Sequence, residues 1–307
     1  MTLVVCKIIN DNLYIESDSK LTLVSPYDGE KEGQPRFCSI LKTAIIHPSI
    51  CISYAGHVQN AEDALKECLK AEIKDTADNI IDILLNATKS KNNTEFALGL
   101  ISNSKPILIK IANGKTEIYD KSILWLGSSK AYDLFEKKYD ELIKSKIPEG
   151  QSLQVAFDSV IENKEIEVVD HFHISVSIDK TSLQQPAFHY EEKVIINLGQ
   201  ATMRVGTEST LIPFGTTENG ASGASYFVSV SPEFPGVAVH FPFENMGILF
   251  CPQIALDGKY FKHVQGEKFT LSGKEFLEKI KEKYGIPMRG FAKHGDSSMI
   301  LLDTSVE

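Results

Sequence analysis

The chain has 307 residues, of which 42% are apolar and 24% charged, a composition typical of a globular protein with a substantial core. A formal net charge of −9 argues against a nucleic-acid-binding surface, and no apolar run approaches the roughly 20 residues of a membrane-spanning helix. Five cysteines without a C-x-x-C pair, and an N-terminus without signal-peptide features, predict buried thiols and a reducing, cytoplasmic location.

The first 180 residues alternate between blocks of strand pattern and blocks of helix pattern. Apolar–polar alternation predicts strands, whereas apolar residues spaced three or four apart predict amphipathic helices. The predicted strands are 3–9, 13–17, 43–46, 50–55, 95–102, 106–112, 115–119, 123–126 and 172–178. The predicted helices are 59–72, 77–88, 130–144 and 151–163. Residues 26–36 are predicted to form a loop, and Asn113-Gly114 a two-residue hairpin turn.

This order of elements predicts the fold class. Strand blocks separated by helix pairs do not alternate as βαβ units do, which argues against a doubly wound parallel sheet. They favour an α+β fold in which two antiparallel sheets stack face to face with helix pairs outside. We therefore predict a first domain over residues 1–182.

Composition changes after this domain. Residues 183–307 are predicted to form a β-rich C-terminal extension or small domain. Its one clear helix covers 273–284, where Ser272 and Glu275 form a capping box and Gly285 suits the C-terminal end. Its predicted strands are 193–197, 226–230, 236–241 and 247–250.

Thr2 is the first candidate functional residue. If Met1 is removed, Thr2 combines a nucleophilic hydroxyl with an α-amine that accepts the proton and has a reference pKa of about 8. Such a centre also needs a lysine beside the threonine, a carboxylate that orients the lysine, and a backbone N–H that faces the oxyanion. At the ends of predicted strands, Lys42, Asp18 and Gly56 are the candidates for these three roles.

These residues resemble the opening of proteasome β-type subunits, which are N-terminal-nucleophile (Ntn) hydrolases. The Asp-Ser-Lys sequence at 18–20 matches the family's Asp-Ser-Arg/Lys motif. The intervals from Thr2 to Asp18 and from Lys42 to Gly56 equal those of the family. The loop between these two pairs is longer than the family's, and loops tolerate insertions readily.

A second stretch extends the resemblance to residues 2–180. The sequence LGSSKAYDLFEKKY is similar to the family's Gly-Ser-Gly segment before its third helix, which implies that Ser128 supports the α-amine. Residues 183–307 are not covered by the resemblance.

The resemblance implies both a fold and an activity. The fold is a four-layer αββα sandwich, and the activity is that of a threonine-type amide hydrolase, a peptidase acting through a Thr2 acyl-enzyme without metal or cofactor. The implied partners are a peptide or protein substrate and further copies in a homo-oligomeric ring. By the same analogy, an apolar specificity pocket is lined by Leu21, Ile40, Ala44, Tyr54 and Val58.

Three alternatives stay open. The acyl group could pass to another amine, which would make the protein a peptide ligase or transpeptidase. The chain could also be a non-catalytic proteasome-like subunit, since fold does not establish activity. Finally, His171 and His173 share one face of a predicted strand and could bind a metal, but the sequence offers no evident third ligand.

Overall fold

The computed structural model describes residues 2–19, 36–37, 40–71, 76–89, 93–163, 166, 172–179, 185–193, 201–205, 208–212, 224–241, 246–262, 272–294 and 298–305. Its fold is mixed α/β, and the strands pair antiparallel. The helices are α1 (Val58–Lys70), α2 (Thr76–Thr88), α3 (Ser129–Lys144), α4 (Glu149–Ile161) and α5 (Gly273–Tyr284).

Most of the predicted strands are confirmed, and the structure contains several strands that were not predicted. The N-terminal strands are β1 (Leu3–Ile9), β2 (Asn12–Asp18), β3 (Arg36–Phe37), β4 (Thr43–His47), β5 (Ile50–Ala55), β6 (Glu95–Ser102), β7 (Lys105–Ala112), β8 (Lys115–Tyr119), β9 (Leu124–Gly127), β10 (His173–Asp179) and β11 (Ala187–Tyr190). The C-terminal strands are β12 (Ala201–Val205), β13 (Glu208–Ile212), β14 (Ser225–Ser229), β15 (Val237–Phe241), β16 (Met246–Cys251), β17 (Ala255–Lys262), β18 (Met288–His294) and β19 (Ser298–Asp303).

The first sheet has the order β11-β10-β2-β1-β9. On β1, which lies between β2 and the edge strand β9, Leu3 and Val5 pack against apolar residues of α3 and α4. Val4 and Cys6 point to the opposite face and join the core shared with β4, β5, β6 and β7. Burial of both faces explains why β1 opens with a continuous apolar run instead of an alternating one.

The second sheet has the order β4-β5-β6-β7-β8. One face contributes Ile45 and Cys51 to the core shared with β1 and β2. The other face packs on α1 and α2, which contribute the buried residues Ala61, Leu65, Ile80 and Leu84. The hairpin between β7 and β8 turns at Asn113 (φ 52°) and Gly114 (φ 70°), the left-handed pair that its sequence predicts.

The C-terminal sheet has the order β17-β16-β15-β14-β18-β19. Phe227, Ala238 and Leu249 on one face pack against α5. Alternate residues such as Val237 and Ile248 point the other way and join the core of the N-terminal sheets. Helix α5 begins at the predicted capping box and ends at the predicted glycine, which has a φ of 70°.

The described contacts run across the predicted boundary at residue 182. Strand β11 extends the first sheet through β10, and Gln253 Nε2 donates to Ile45 O of β4 at 3.3 Å. The division into 1–182 and 183–307 therefore stays a prediction. The predicted strand at 193–197 lies outside the described residues apart from Lys193, and the predicted loop at 26–36 lies outside them apart from Arg36.

Candidate functional site

Thr2 lies directly before β1 and is nearly buried, with 7% of its surface exposed. Its carbonyl oxygen accepts a hydrogen bond from the Ser128 N–H at 2.8 Å, and Leu3 pairs with Gly127 of β9. Gly127 has a φ of 99°, and a Cβ at this position would lie 1.9 Å from the Thr2 oxygen. Only glycine permits this approach, so β9 fixes the start of β1 tightly.

Asp18 connects this N-terminal segment to Lys42. Its Oδ2 lies 2.6 Å from the Lys42 Nζ, and its Oδ1 accepts the Leu3 N–H at 2.9 Å. Both partners of the ion pair are buried, with 0% of the Asp18 side chain and 1% of the Lys42 side chain exposed. Burial of an ion pair is favourable only when geometry and hydrogen bonds are good, and here the carboxylate has a partner on each oxygen.

The backbone brings Lys42 to Asp18 through two further hydrogen bonds. The Ile40 N–H donates to the Ser19 oxygen at 2.9 Å, which joins the end of β2 to the segment before β4. The Lys42 oxygen accepts the Tyr54 N–H at 3.0 Å, which joins the same segment to β5. The structure therefore brings Asp18 and Lys42 together, and it places the Asp18 carboxylate on the N–H of Leu3, the residue after Thr2.

Gly56 and Ser128 each have a structural role that the sequence did not reveal. Gly56 is exposed and has a φ of 103°, and a Cβ there would lie 2.2 Å from the Asn93 oxygen. Ser128 is the N-cap of α3, where its hydroxyl accepts the Ala131 N–H at 3.3 Å. Gly56 directly follows β5, and Ser128 contacts the Thr2 oxygen through its N–H. The catalytic roles of both residues remain predictions.

The predicted pocket residues are largely buried. Ile40, Ala44 and Tyr54 are at most 2% exposed, whereas Val58 is half-buried at the start of α1. Leu21 lies outside the described residues. Ala44 and Tyr54 belong to one core cluster with Leu256 of β17, so the C-terminal part of the chain packs onto the same cluster.

Tyr54 has an unusual environment for a buried phenol. Within the part of the chain that the structure describes, its hydroxyl has no hydrogen-bond partner. Burial raises the pKa of Tyr54 well above its ordinary value, and the negative charges of Glu62 and Asp18 raise it further. The group therefore stays a neutral phenol that is able to donate a hydrogen bond.

The sequence missed a buried polar network beside the Asp18–Lys42 pair. His173 of β10 bridges two carboxylates: its Nε2 lies 2.6 Å from Glu16 Oε2, and its Nδ1 lies 2.9 Å from Asp158 Oδ1. The Ser175 hydroxyl donates to the same Glu16 oxygen at 2.5 Å, and the His173 ring stacks on Phe157 with centroids 4.5 Å apart. The signal was the i, i+2 spacing of polar residues on β2 and on β10.

Charges around this network shift two neighbouring groups. Burial raises the pKa of the Asp158 carboxyl, but the hydrogen bond and charge of His173 outweigh it, so the pKa is lowered overall. Burial lowers the pKa of Lys193, against the opposing effects of Glu16, Asp158 and Glu191. The network thus places carboxylates near the ammonium group of Lys193, on the face of the first sheet that packs against α4.

The contacts of His173 resemble those of a hydrolase triad, because the ring lies between the hydroxyl of Ser175 and the carboxylate of Asp158. The Ser175 Oγ is 3.3 Å from the His173 Nε2. However, Glu16 lies closer to that nitrogen and accepts the serine proton, and Ser175 is fully buried. A nucleophile must be reached by substrate, so this arrangement favours a structural network. Among the described side chains, no group of three or more His, Cys, Asp or Glu residues is placed to hold a metal ion, and His171 lies outside them.

The chain matches no protein-family model and no curated protein sequence. No helix in the described ranges combines the length and the apolar composition that a membrane crossing requires.

Proposed function

We propose that the chain is an N-terminal-nucleophile amide hydrolase of the threonine type, with Thr2 as nucleophile and base after removal of Met1. The observation that carries this proposal is the buried Asp18–Lys42 pair, whose carboxylate also accepts the N–H of the residue that follows Thr2. A buried ion pair often contributes no more to stability than well-packed apolar residues in its place would, which favours a functional reason for this pair.

In the proposed reaction, the Thr2 Oγ attacks the carbonyl carbon of an amide while its proton passes to the Thr2 α-amine. The charge of Lys42 favours the neutral, proton-accepting form of that amine, and Asp18 orients Lys42. The oxyanion that forms is stabilised by the Gly56 N–H. Collapse of the intermediate breaks the C–N bond, and the proton goes from the α-amine to the leaving amine. Water then hydrolyses the ester and regenerates Thr2.

The proposed fold is a four-layer αββα sandwich of the Ntn type over residues 1–182. The packing of β1 supports it, because Leu3 and Val5 contact the α3–α4 pair while Val4 and Cys6 contact the other sheet. The packing of α1 and α2 on the far side of that other sheet supports it in the same way. In this arrangement Thr2 lies at the edge where the two sheets approach each other.

A panel of peptide amides with a fluorescent leaving amine tests the activity. We expect the amine to be released by protein whose first residue is Thr2, as verified by intact mass, and not by protein that retains Met1. Addition of a second amine separates hydrolysis from peptide transfer, since a transferase would form a new amide in place of the free acid. Equal turnover with and without Met1 would rule out the terminal amine as the base.

Tyr54 offers a prediction about specificity. Tyr54→Phe removes a buried hydroxyl that lacks a partner in the described structure, so we expect the free energy of unfolding to rise by about 1 kcal/mol. If Tyr54 lines the pocket, the same variant should lose activity on substrates with a polar residue before the scissile bond and keep it on apolar ones. Urea unfolding and kcat/KM on paired substrates measure the two effects. An unchanged substrate preference would place Tyr54 outside the pocket.

A further inference from the structure

His173 lies directly beside Asp18 on the neighbouring strand. In the pairing of β10 with β2, His173 is opposite Asp18, and Ser175 is opposite Glu16. Side chains of opposite residues share one face of the sheet, and residues two apart on a strand do as well. Asp18, Glu16 and His173 therefore occupy one face, and the His173–Glu16 contact runs diagonally between the strands.

The end of β2 is attached to β10 on both sides of Asp18. Glu16 binds His173 within the sheet, and Asp158 binds the other ring nitrogen from helix α4. A second tie lies at the other side of Asp18, where the Ser19 hydroxyl accepts the Phe172 N–H at 3.2 Å. Asp18 is thus held between two hydrogen-bonded attachments of β10.

The two short contacts of His173 use both of its ring nitrogens. Nε2 lies 2.6 Å from Glu16 Oε2 within the sheet, and Nδ1 lies 2.9 Å from Asp158 Oδ1 on α4. The ring is therefore held from two directions, and loss of either contact releases one side of the bridge.

We propose that His173 is a positioning residue that, by bridging Glu16 and Asp158, fixes the end of β2 and aims the Asp18 carboxylate at Lys42. The inference rests on the proposed function for its consequence in catalysis, but its geometric part concerns only the Asp18–Lys42 pair. Among the described residues, the charged groups around this part of β10 include Glu16 and Asp18 from β2, Asp158 from α4, and Glu191 and Lys193 after β11.

The test replaces His173 by glutamine, whose flexible side chain has a single nitrogen and cannot reproduce the two divergent ring nitrogens that contact Glu16 and Asp158. We expect kcat on a peptide amide to fall about tenfold to a hundredfold, because small misplacements of a catalytic group have effects of this size, while KM changes little. The pH profile of kcat should also change shape. The control is His189→Gln, which makes the same substitution at an exposed histidine on β11 and should leave kcat, KM and the profile unchanged.

A second readout does not depend on turnover. The side-chain ammonium of a buried, ion-paired lysine gives a distinct NMR signal, and we expect the Lys42 signal to shift or broaden in His173→Gln but not in His189→Gln. If His173→Gln does not fold, Asp158→Asn carries the test, because it weakens one bridge at a half-buried carboxyl and leaves Glu16 and His173 in place.

The outcomes separate the two proposals. A changed Lys42 signal in a protein whose parent shows no turnover would support the positioning role and overturn the proposed hydrolase. A parent that hydrolyses amides, with His173→Gln giving the same kcat, pH profile and Lys42 signal, would support the hydrolase and overturn the positioning role.

Discussion

Asp18→Asn should lower the free energy of unfolding by about 3–5 kcal/mol, because it removes the carboxylate that faces a buried ammonium group. Lys42→Met should have a similar effect for the opposite reason, since it leaves the Asp18 carboxylate buried. The double variant should lose less than the sum of the two, because it removes both charges together. Urea unfolding followed by circular dichroism measures all three values.

The control for this prediction is Lys274→Met. Lys274 is exposed on α5 and lies 3.7 Å from Glu278, an ordinary surface pair. Exposed pairs of this kind contribute less than about 1 kcal/mol, so the control should change little. If the effects of Asp18→Asn and Lys42→Met were additive and each as small as that of the control, the two charged groups, 2.6 Å apart, would not stabilise each other.

Thr2→Ala should reduce amide hydrolysis by about 10³-fold or more, since it removes the attacking oxygen while leaving the α-amine in place. Thr2→Ser should retain part of the activity, because it keeps a hydroxyl on the same carbon. The rate of amine release from a peptide amide, measured with protein verified to begin at residue 2, provides the comparison.

The stability of these variants must stay near that of the parent for the prediction to be informative. Thr2 is nearly buried, but it loses only a hydroxyl and a methyl group, so the fold should persist. Thr116→Ala, at an exposed position on β8, is the matched control and should change neither activity nor stability. Full activity in Thr2→Ala would assign the chemistry to another residue.

The sequence predicted the elements whose signals are local. The apolar period of α1 predicts a stripe of Ala61, Ala64, Leu65, Cys68 and Leu69, of which the first four are buried and Leu69 is partly buried. The capping box of α5 and the Asn113-Gly114 hairpin were also found, because each depends on residues only one to three apart. These features follow from backbone geometry and need no information about distant parts of the chain.

Strands that depend on distant partners were harder to predict. Strand β11 has a short sequence, and it gains its hydrogen bonds from β10. Strands β18 and β19 mix charged, small and apolar residues, so their alternation is weak, yet they add to β14 and to each other. Strand β17 contains Gly258 at a φ of 82°, and its pairing with β16 is irregular, which obscures a period of two.

The candidate site also has one part with a local sequence signal and one part that depends on distant strands. A motif and its intervals predict Thr2, Asp18 and Lys42, and the structure pairs Asp18 with Lys42 and with the N–H of the residue after Thr2. The His173 network was missed, because Glu16 and His173 are 157 residues apart and a glutamate at the end of a strand usually faces solvent. Only the pairing of β10 with β2 reveals that the two side chains meet.

The most direct test of the central claim is labelling with a peptide epoxyketone, a reagent that can bond to both the hydroxyl oxygen and the free amine of an N-terminal threonine. Intact mass and peptide mapping would compare protein that begins at Thr2 with protein that retains Met1. We predict a single adduct on Thr2, joined through its Oγ and its nitrogen, in the first protein and no adduct in the second. Labelling at another residue, or equal labelling of both proteins, would contradict the account.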